Sequence, residues 1–213
     1  ARALTAGLEA VRRRVVELGL PMHVAPHPTV AGAALLLPQR GTAAATTVLV
    51  PVTNPSEAAL RRTAANLHAC QDNGPAALIA VCANESTRDP LEHQLALQGA
   101  AVPILAADTA DLSALVAIAL PSVETDVTIV ADESLAPVGH RTAGLLAAYL
   151  AHPGVTLAGP RVLTAWGLLE DGPPVLTDGR LVAVGRGSDP NAAGYFGELA
   201  LPHREYLPLA EIS

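Results

Sequence analysis

Asp132, Glu133 and His140 bring two carboxylates and an imidazole together within nine residues of a 213-residue chain. An imidazole titrates close to neutrality, and a carboxylate beside it can orient the ring or take its proton. These three are the candidate catalytic residues for acid–base chemistry. A histidine near a helix start also has a purely structural use, and that reading of His140 stands beside the first. His23 and His27 are the candidate metal ligands, because imidazoles four residues apart share one face of a helix. Pro26 and Pro28 flank His27 and oppose a continuous helix there, so the pair also reads as loop histidines. His203, followed by Arg204 and Glu205, reads as an ion-pair partner on the tail.

Other chemistries are excluded by what the chain lacks. All thirteen basic residues are arginine. Without lysine there is no Schiff base, no pyridoxal phosphate linkage, no P-loop lysine and no kinase strand lysine. There is no Gly-x-Ser-x-Gly elbow for a hydrolase nucleophile. The segment Gly185-Arg186-Gly187-Ser188 is a lone Gly-x-Gly followed by Asp189-Pro190 instead of a helix, so it reads as a turn, with anion binding as the alternative. A net charge of −7 argues against nucleic acid as a partner. Cys70 and Cys82, twelve residues apart, match no metal spacing; buried free thiols are expected, with a disulfide as the other reading. No apolar run reaches the ~18–20 residues of a membrane span. A reducing, cytoplasmic setting follows as the expectation. The chain starts at Ala1 without a methionine, which suggests processing or excision from a longer protein, and its first residues show no signal-peptide pattern.

The elements that must position these groups follow a repeating grammar. A helix is predicted over 3–18, with Arg12, Arg13 and Arg14 on its solvated side and Gly19 as its stop. Residues 21–41 hold four prolines and read as an irregular lead-in. Strands are predicted at 48–52, 76–82, 102–106 and 127–131. Helices follow each of them: one capped by Ser56 or Asn54 and running to about Cys70, one opened by Pro90 and ending near Gly99, one begun at 108–111, and one over 140–150. A fifth strand comes from 155–157 or 161–164. Strand alternating with helix predicts an α/β fold, a doubly wound, mainly parallel sheet of about five strands. Asp-Gly pairs at 171–172 and 178–179 predict a C-terminal β-hairpin extension, placed at the sheet edge or as a flap. The organisation expected is a lead-in over 1–45, a core over 46–160, and an extension with an extended tail over 161–213, the tail lying across a neighbouring subunit.

Open parallel sheets bind ligands beyond the carboxyl ends of their strands, where the strand order reverses. That rule selects Thr53, Asn54 and Ser56, then Asn84, Glu85 and Ser86, then Asp108 and Thr109, then Asp132, Glu133 and Ser134. Thr53, Asn54 and Asp108 are the candidates for holding a cofactor or small polar ligand. The identity of any cofactor is unknown from the sequence, and the same residues also read as helix caps.

Residues 48–65, VLVPVTNPSEAALRRTAA, resemble the first strand and helix of the universal stress protein family, and the order of elements is similar from 47 to about 160. The resemblance implies a five-stranded parallel sheet, frequent dimerisation and, in some members, ATP binding. Thr53 stands where that family usually has aspartate. Its nucleotide-binding glycine pattern is absent, since Gly139 and Gly144 are only five apart, which points to the branch that does not bind ATP. The resulting expectation is a non-enzymatic regulatory, sensor or interaction domain that forms homo-oligomers. Two alternatives stand beside it. One is a small enzyme of hydrolase or lyase type working on a polar metabolite by carboxylate/histidine or metal-assisted chemistry. The other is a soluble domain of a larger transport protein.

Overall fold

The computed structural model describes residues 2–27, 30, 32–39, 45–72, 77–135, 142–150, 159, 162–171, 174–177, 180–183 and 185–190. The chain divides into two compact units, one formed by residues 43–158 with 212–213, the other by 1–42 with 159–211. The two flanks, read from the sequence as separate pieces, thus group into one unit.

The first unit is α/β and carries a four-stranded parallel sheet. Its strands are β3 (Thr46–Val52), β4 (Ala77–Cys82), β5 (Ile104–Ala106) and β6 (Val127–Val130), in the order β5-β4-β3-β6. β3 is buried along its whole length and β4 from its second residue onward, as expected of strands covered on both faces. Side chains alternate between two layers. Val48, Val50 and Val52 pack with Leu60, Ala64 and Leu67 of α2 (Glu57–Asp72) and with Leu91 and Leu95 of α3 (Glu85–Leu97). Leu49 turns the other way, against Leu115 and Ala119 of α4 (Leu112–Ala119). Each fully buried Leu or Val contributes about 1.5–3 kcal/mol. A further helix, α5 (Thr142–Leu150), packs on β3 and β6.

Within the fold class as expected, local boundaries differ. α3 starts at Glu85, five residues before Pro90, which sits inside the helix. The Asn84 side chain explains the early start. Its Oδ1 accepts the Thr87 amide at 2.9 Å and the Thr87 and Ser86 hydroxyls at 2.8 Å each. Both thiols are free. Cys70 lies near the carboxyl end of α2 and Cys82 at the carboxyl end of β4, so α2, running back along the sheet, separates them by most of its length.

Pro51 in the middle strand has a topological consequence. The Leu49 carbonyl accepts the Ala131 amide at 2.9 Å, so odd-numbered residues of β3 turn their polar groups toward β6. The next such residue is Pro51, which has no N–H for the Ala131 carbonyl. The β3–β6 ladder therefore stops at the Leu49–Val130 pair, while the β3–β4 ladder continues to Val52–Cys82. This leaves an unpaired gap, a notch in the ladder, between the carboxyl ends of β3 and β6, where the strand order reverses.

In the second unit, α1 (Arg2–Glu17) buries Val15, half-buries Leu8 and Val11, and exposes Arg12, Arg13 and Arg14. Gly19, at φ 62°, closes it: its amide donates to the Val16 carbonyl, and the Leu20 amide donates to that of Val15. The proline-rich stretch, expected to be irregular, is an antiparallel pair of β1 (Met22–Pro26) and β2 (Ala34–Pro38). Pro26 and Pro38 occupy the strand ends, where a missing donor does no harm to the ladder. Two more antiparallel pairs follow, β7 (Val162–Leu163) with β8 (Leu169–Asp171) and β9 (Pro174–Thr177) with β10 (Arg180–Ala183). Among the described residues neither pair joins the parallel sheet, so of the two placements expected, sheet edge or flap, the edge is not the one seen. Residues 162–163 pair with β8, so they are not a fifth parallel strand; 155–157, the other candidate, and most of the tail lie outside the described residues.

Candidate functional site

The notch is closed by a turn, residues 131–135. Asp132 Oδ1 accepts the Ser134 amide at 2.7 Å and its hydroxyl at 2.5 Å, and the Leu135 amide donates to the Asp132 carbonyl at 3.0 Å. That turn aims Glu133 across the notch. Its Oε1 accepts the Thr53 hydroxyl at 3.0 Å and the Asn54 amide at 3.1 Å, and its Oε2 accepts the Thr53 amide at 3.2 Å. From below, the buried Thr63 hydroxyl on α2 donates to the carbonyls of Ala59, at 3.0 Å, and Glu133, at 3.3 Å.

The residues selected from the sequence are sorted by this geometry. Glu133 braces the two strand ends with both carboxylate oxygens occupied, so it acts as a positioning residue. Asp132 is exposed, and only its Oδ1 is engaged among the described residues. Thr53 and Asn54 supply the donors to Glu133, and Asn54 Oδ1 also accepts the Ser56 amide at 3.0 Å. Ser56 caps α2 through a 3.4 Å bond from the Ala59 amide. Asp108 is exposed and Asp111, not Asp108, caps α4, accepting the Ala114 amide at 2.7 Å. His140 lies outside the described residues.

His23 and His27, the candidate metal ligands, do not form a helical pair, in keeping with the prolines that flank His27. His23 is exposed on β1 opposite Leu37, and His27 follows the strand with Nδ1 accepting the Val30 amide at 3.1 Å. Four residues of extended chain separate them by about 13 Å, too far for one ion. Among the described residues, no group of three or more histidine, cysteine, aspartate or glutamate side chains could hold a metal ion. No described helix is long and apolar enough to cross a membrane.

Cys82 is fully buried at the end of β4, paired with Val52 of β3. Burial pushes its thiol up to about 12, the negative charges of Glu133 and Glu85 push the same way, and Arg88 opposes them. A thiol held protonated in this way is packing, not a nucleophile. Arg88 is a neighbour that the sequence did not single out; it is half-buried on α3 and pairs with Glu85 at 3.2 Å. The roles of Thr63 and Pro51 were also missed. A proline inside a β-branched run was the available signal for the second.

No protein-family model matches the chain, and no curated protein matches it. Among solved structures, it is similar to the mannosyltransferase PcManGT from Pyrobaculum calidifontis in complex with GDP-Man and Mn2+, with 16% identity and a TM-score of 0.46. The likeness covers 72% of this chain and 42% of that one, so the chain spans less than half of the protein it matches. That protein is an enzyme, and on this finding the expectation of a non-enzymatic regulatory, sensor or interaction domain is withdrawn. What PcManGT binds and transfers is a property of PcManGT.

Proposed function

We propose that the chain is an enzyme acting on a small polar metabolite held in the crevice between the carboxyl ends of β3 and β6. The observation that carries this reading is the coincidence of three features at one place. The strand order reverses there, Pro51 ends the ladder early, and a built turn presents an exposed Asp132, one of whose carboxylate oxygens has no partner among the described residues. Asp132 is the candidate group for contact with substrate as base or hydrogen-bond acceptor, and Glu133 and Thr63 hold the turn that carries it. Kinship with the universal stress proteins is a separate proposal, supported by the strand and helix that residues 48–65 form.

Pools of small polar metabolites, incubated with the purified chain with and without divalent cations and read by mass spectrometry, test the enzyme reading. Turnover that Asp132→Asn lowers by about 10²–10⁴-fold is the expected result. Turnover unaffected by Asp132→Asn refutes the role of Asp132. No turnover in any pool, with no ligand-induced movement of the Thr53, Asn54 or Asp132 amide resonances, refutes the site.

A further inference from the structure

We propose that Thr53 and Asn54 form a carboxylate-binding nest whose present occupant is the chain's own Glu133, and that a ligand bearing a carboxylate enters the crevice by exchanging with it. The proposal rests on the reading of the crevice as the working site and names the chemical class that the site would take.

Two successive backbone amides and one hydroxyl converge on the Glu133 carboxylate, at 3.2, 3.1 and 3.0 Å. Among the described residues, no cationic side chain bonds to Glu133, so the carboxylate is recognised by donor geometry alone. Charge-assisted bonds from backbone amides are strong enough to do this. The donors are fixed without help from Glu133. The Val52 carbonyl accepts the Ala83 amide at 3.0 Å and holds the end of β3 to β4, while Asn54 Oδ1 accepts the Ser56 amide and fixes the entry to α2. A nest made this way survives loss of its occupant.

Glu133, by contrast, arrives on a turn that short local bonds and Thr63 secure among the described residues, and its side chain is half-exposed. Thr53 is half-buried and Asn54 exposed, so the donors lie near solvent. The tether gives Glu133 a high effective concentration, millimolar or more for a short link, and a free carboxylate must compete with that.

The test uses the whole chain, 15N-labelled, carrying Glu133→Ala and titrated with sodium formate against sodium chloride at equal ionic strength. The expected result is a saturable, formate-specific movement of the Thr53 and Asn54 amide resonances. The wild type should need at least about tenfold more formate, because its tethered carboxylate competes. Adding Thr53→Val to Glu133→Ala should weaken the response severalfold. Formate indistinguishable from chloride in Glu133→Ala overturns the proposal. If Glu133→Ala is unfolded in chloride, recovery of the far-ultraviolet circular dichroism by formate supports the nest, and no recovery overturns it. Formate binding is read without turnover. Its failure leaves the role of Asp132 standing, and an inactive chain that binds formate fails only the enzyme reading.

Discussion

Replacing Thr63 with valine removes one hydroxyl from beneath the candidate site and leaves its shape almost unchanged. Thr63 is 1% exposed, and its single O–H proton is shared between the Ala59 and Glu133 carbonyls. The Ala59 carbonyl keeps a partner after substitution, because it also accepts the ordinary helical bond from the Thr63 amide. The Glu133 carbonyl keeps none among the described residues. Leaving such a group without its donor costs about 1–3 kcal/mol when it is fully buried. Water reaches the half-exposed Glu133 and reduces that figure, so a loss of about 1 kcal/mol is expected. The loss should be local. Hydrogen exchange at the Ser134 and Leu135 amides should speed up about fivefold, since ~1.4 kcal/mol corresponds to a factor of ten. Exchange in the middle of β3 should be unchanged. Thr63→Ser, which keeps the hydroxyl, should leave Ser134 and Leu135 near wild type while paying for the lost methyl in urea unfolding. If Thr63→Val leaves exchange in the 132–135 turn untouched, the turn is not held from α2 and the account of how Glu133 is positioned fails.

Other perturbations probe the frame around the crevice. Asn84→Ala removes the acceptor of three hydrogen bonds at the start of α3 and should cost ~1–2 kcal/mol in urea unfolding, with fraying confined to the first turn. Leu115→Ala deletes the fully buried contact of α4 with Leu49 and should cost ~2–5 kcal/mol; a value below that range would mean that α4 does not cover the sheet. Cys82 should resist a thiol reagent in the native chain and react on denaturation. Its thiol, raised from 9.0 to about 12, stays protonated in the fold while the unfolded chain ionises it sooner. Its contribution to stability is therefore complete below pH 9 and declines as pH rises toward 12, which alkaline unfolding of wild type against Cys82→Ala measures.

How much of this was legible depends on the range of the interaction involved. β3 and β4 could be read because each is a continuous apolar run, and burial on both faces leaves no polar positions to confuse the period. The rule that ligands bind at the carboxyl ends of parallel strands then selected Thr53, Asn54, Asp132 and Glu133 with no motif at all. What it could not supply was that two of these groups satisfy a third. Thr53 and Glu133 are 80 residues apart, and only the register of β3 against β6 brings them together. Proline misled in two opposite ways. Counted as a breaker, it hid the β1–β2 pair, whose Pro26 and Pro38 sit harmlessly at strand ends. Counted as a helix opener at Pro90, it hid the stronger cap at Asn84. The helical spacing of His23 and His27 has no meaning on a strand, and the prolines beside His27 were the truer signal.

Pro51 joins the sequence to the site most directly, and its replacement is the sharpest test of the geometry. Valine at this position suits a buried strand and restores the N–H that the Ala131 carbonyl lacks. The β3–β6 ladder would then lengthen by one bond, worth about 0.5–1.5 kcal/mol, and β6 would extend past Val130. Drawing Ala131 into the ladder pulls the 132–135 turn toward β3 and narrows the notch into which Glu133 reaches. Pro51→Val should therefore be more stable than wild type, show new exchange protection at residue 51, and displace the Thr53 and Asn54 amide resonances. It should also lose turnover of any metabolite that the crevice accepts. A variant that gains the protected amide yet keeps its Thr53 and Asn54 environment and its activity would show that the early end of the ladder is incidental, and that the crevice owes its shape to the turn alone.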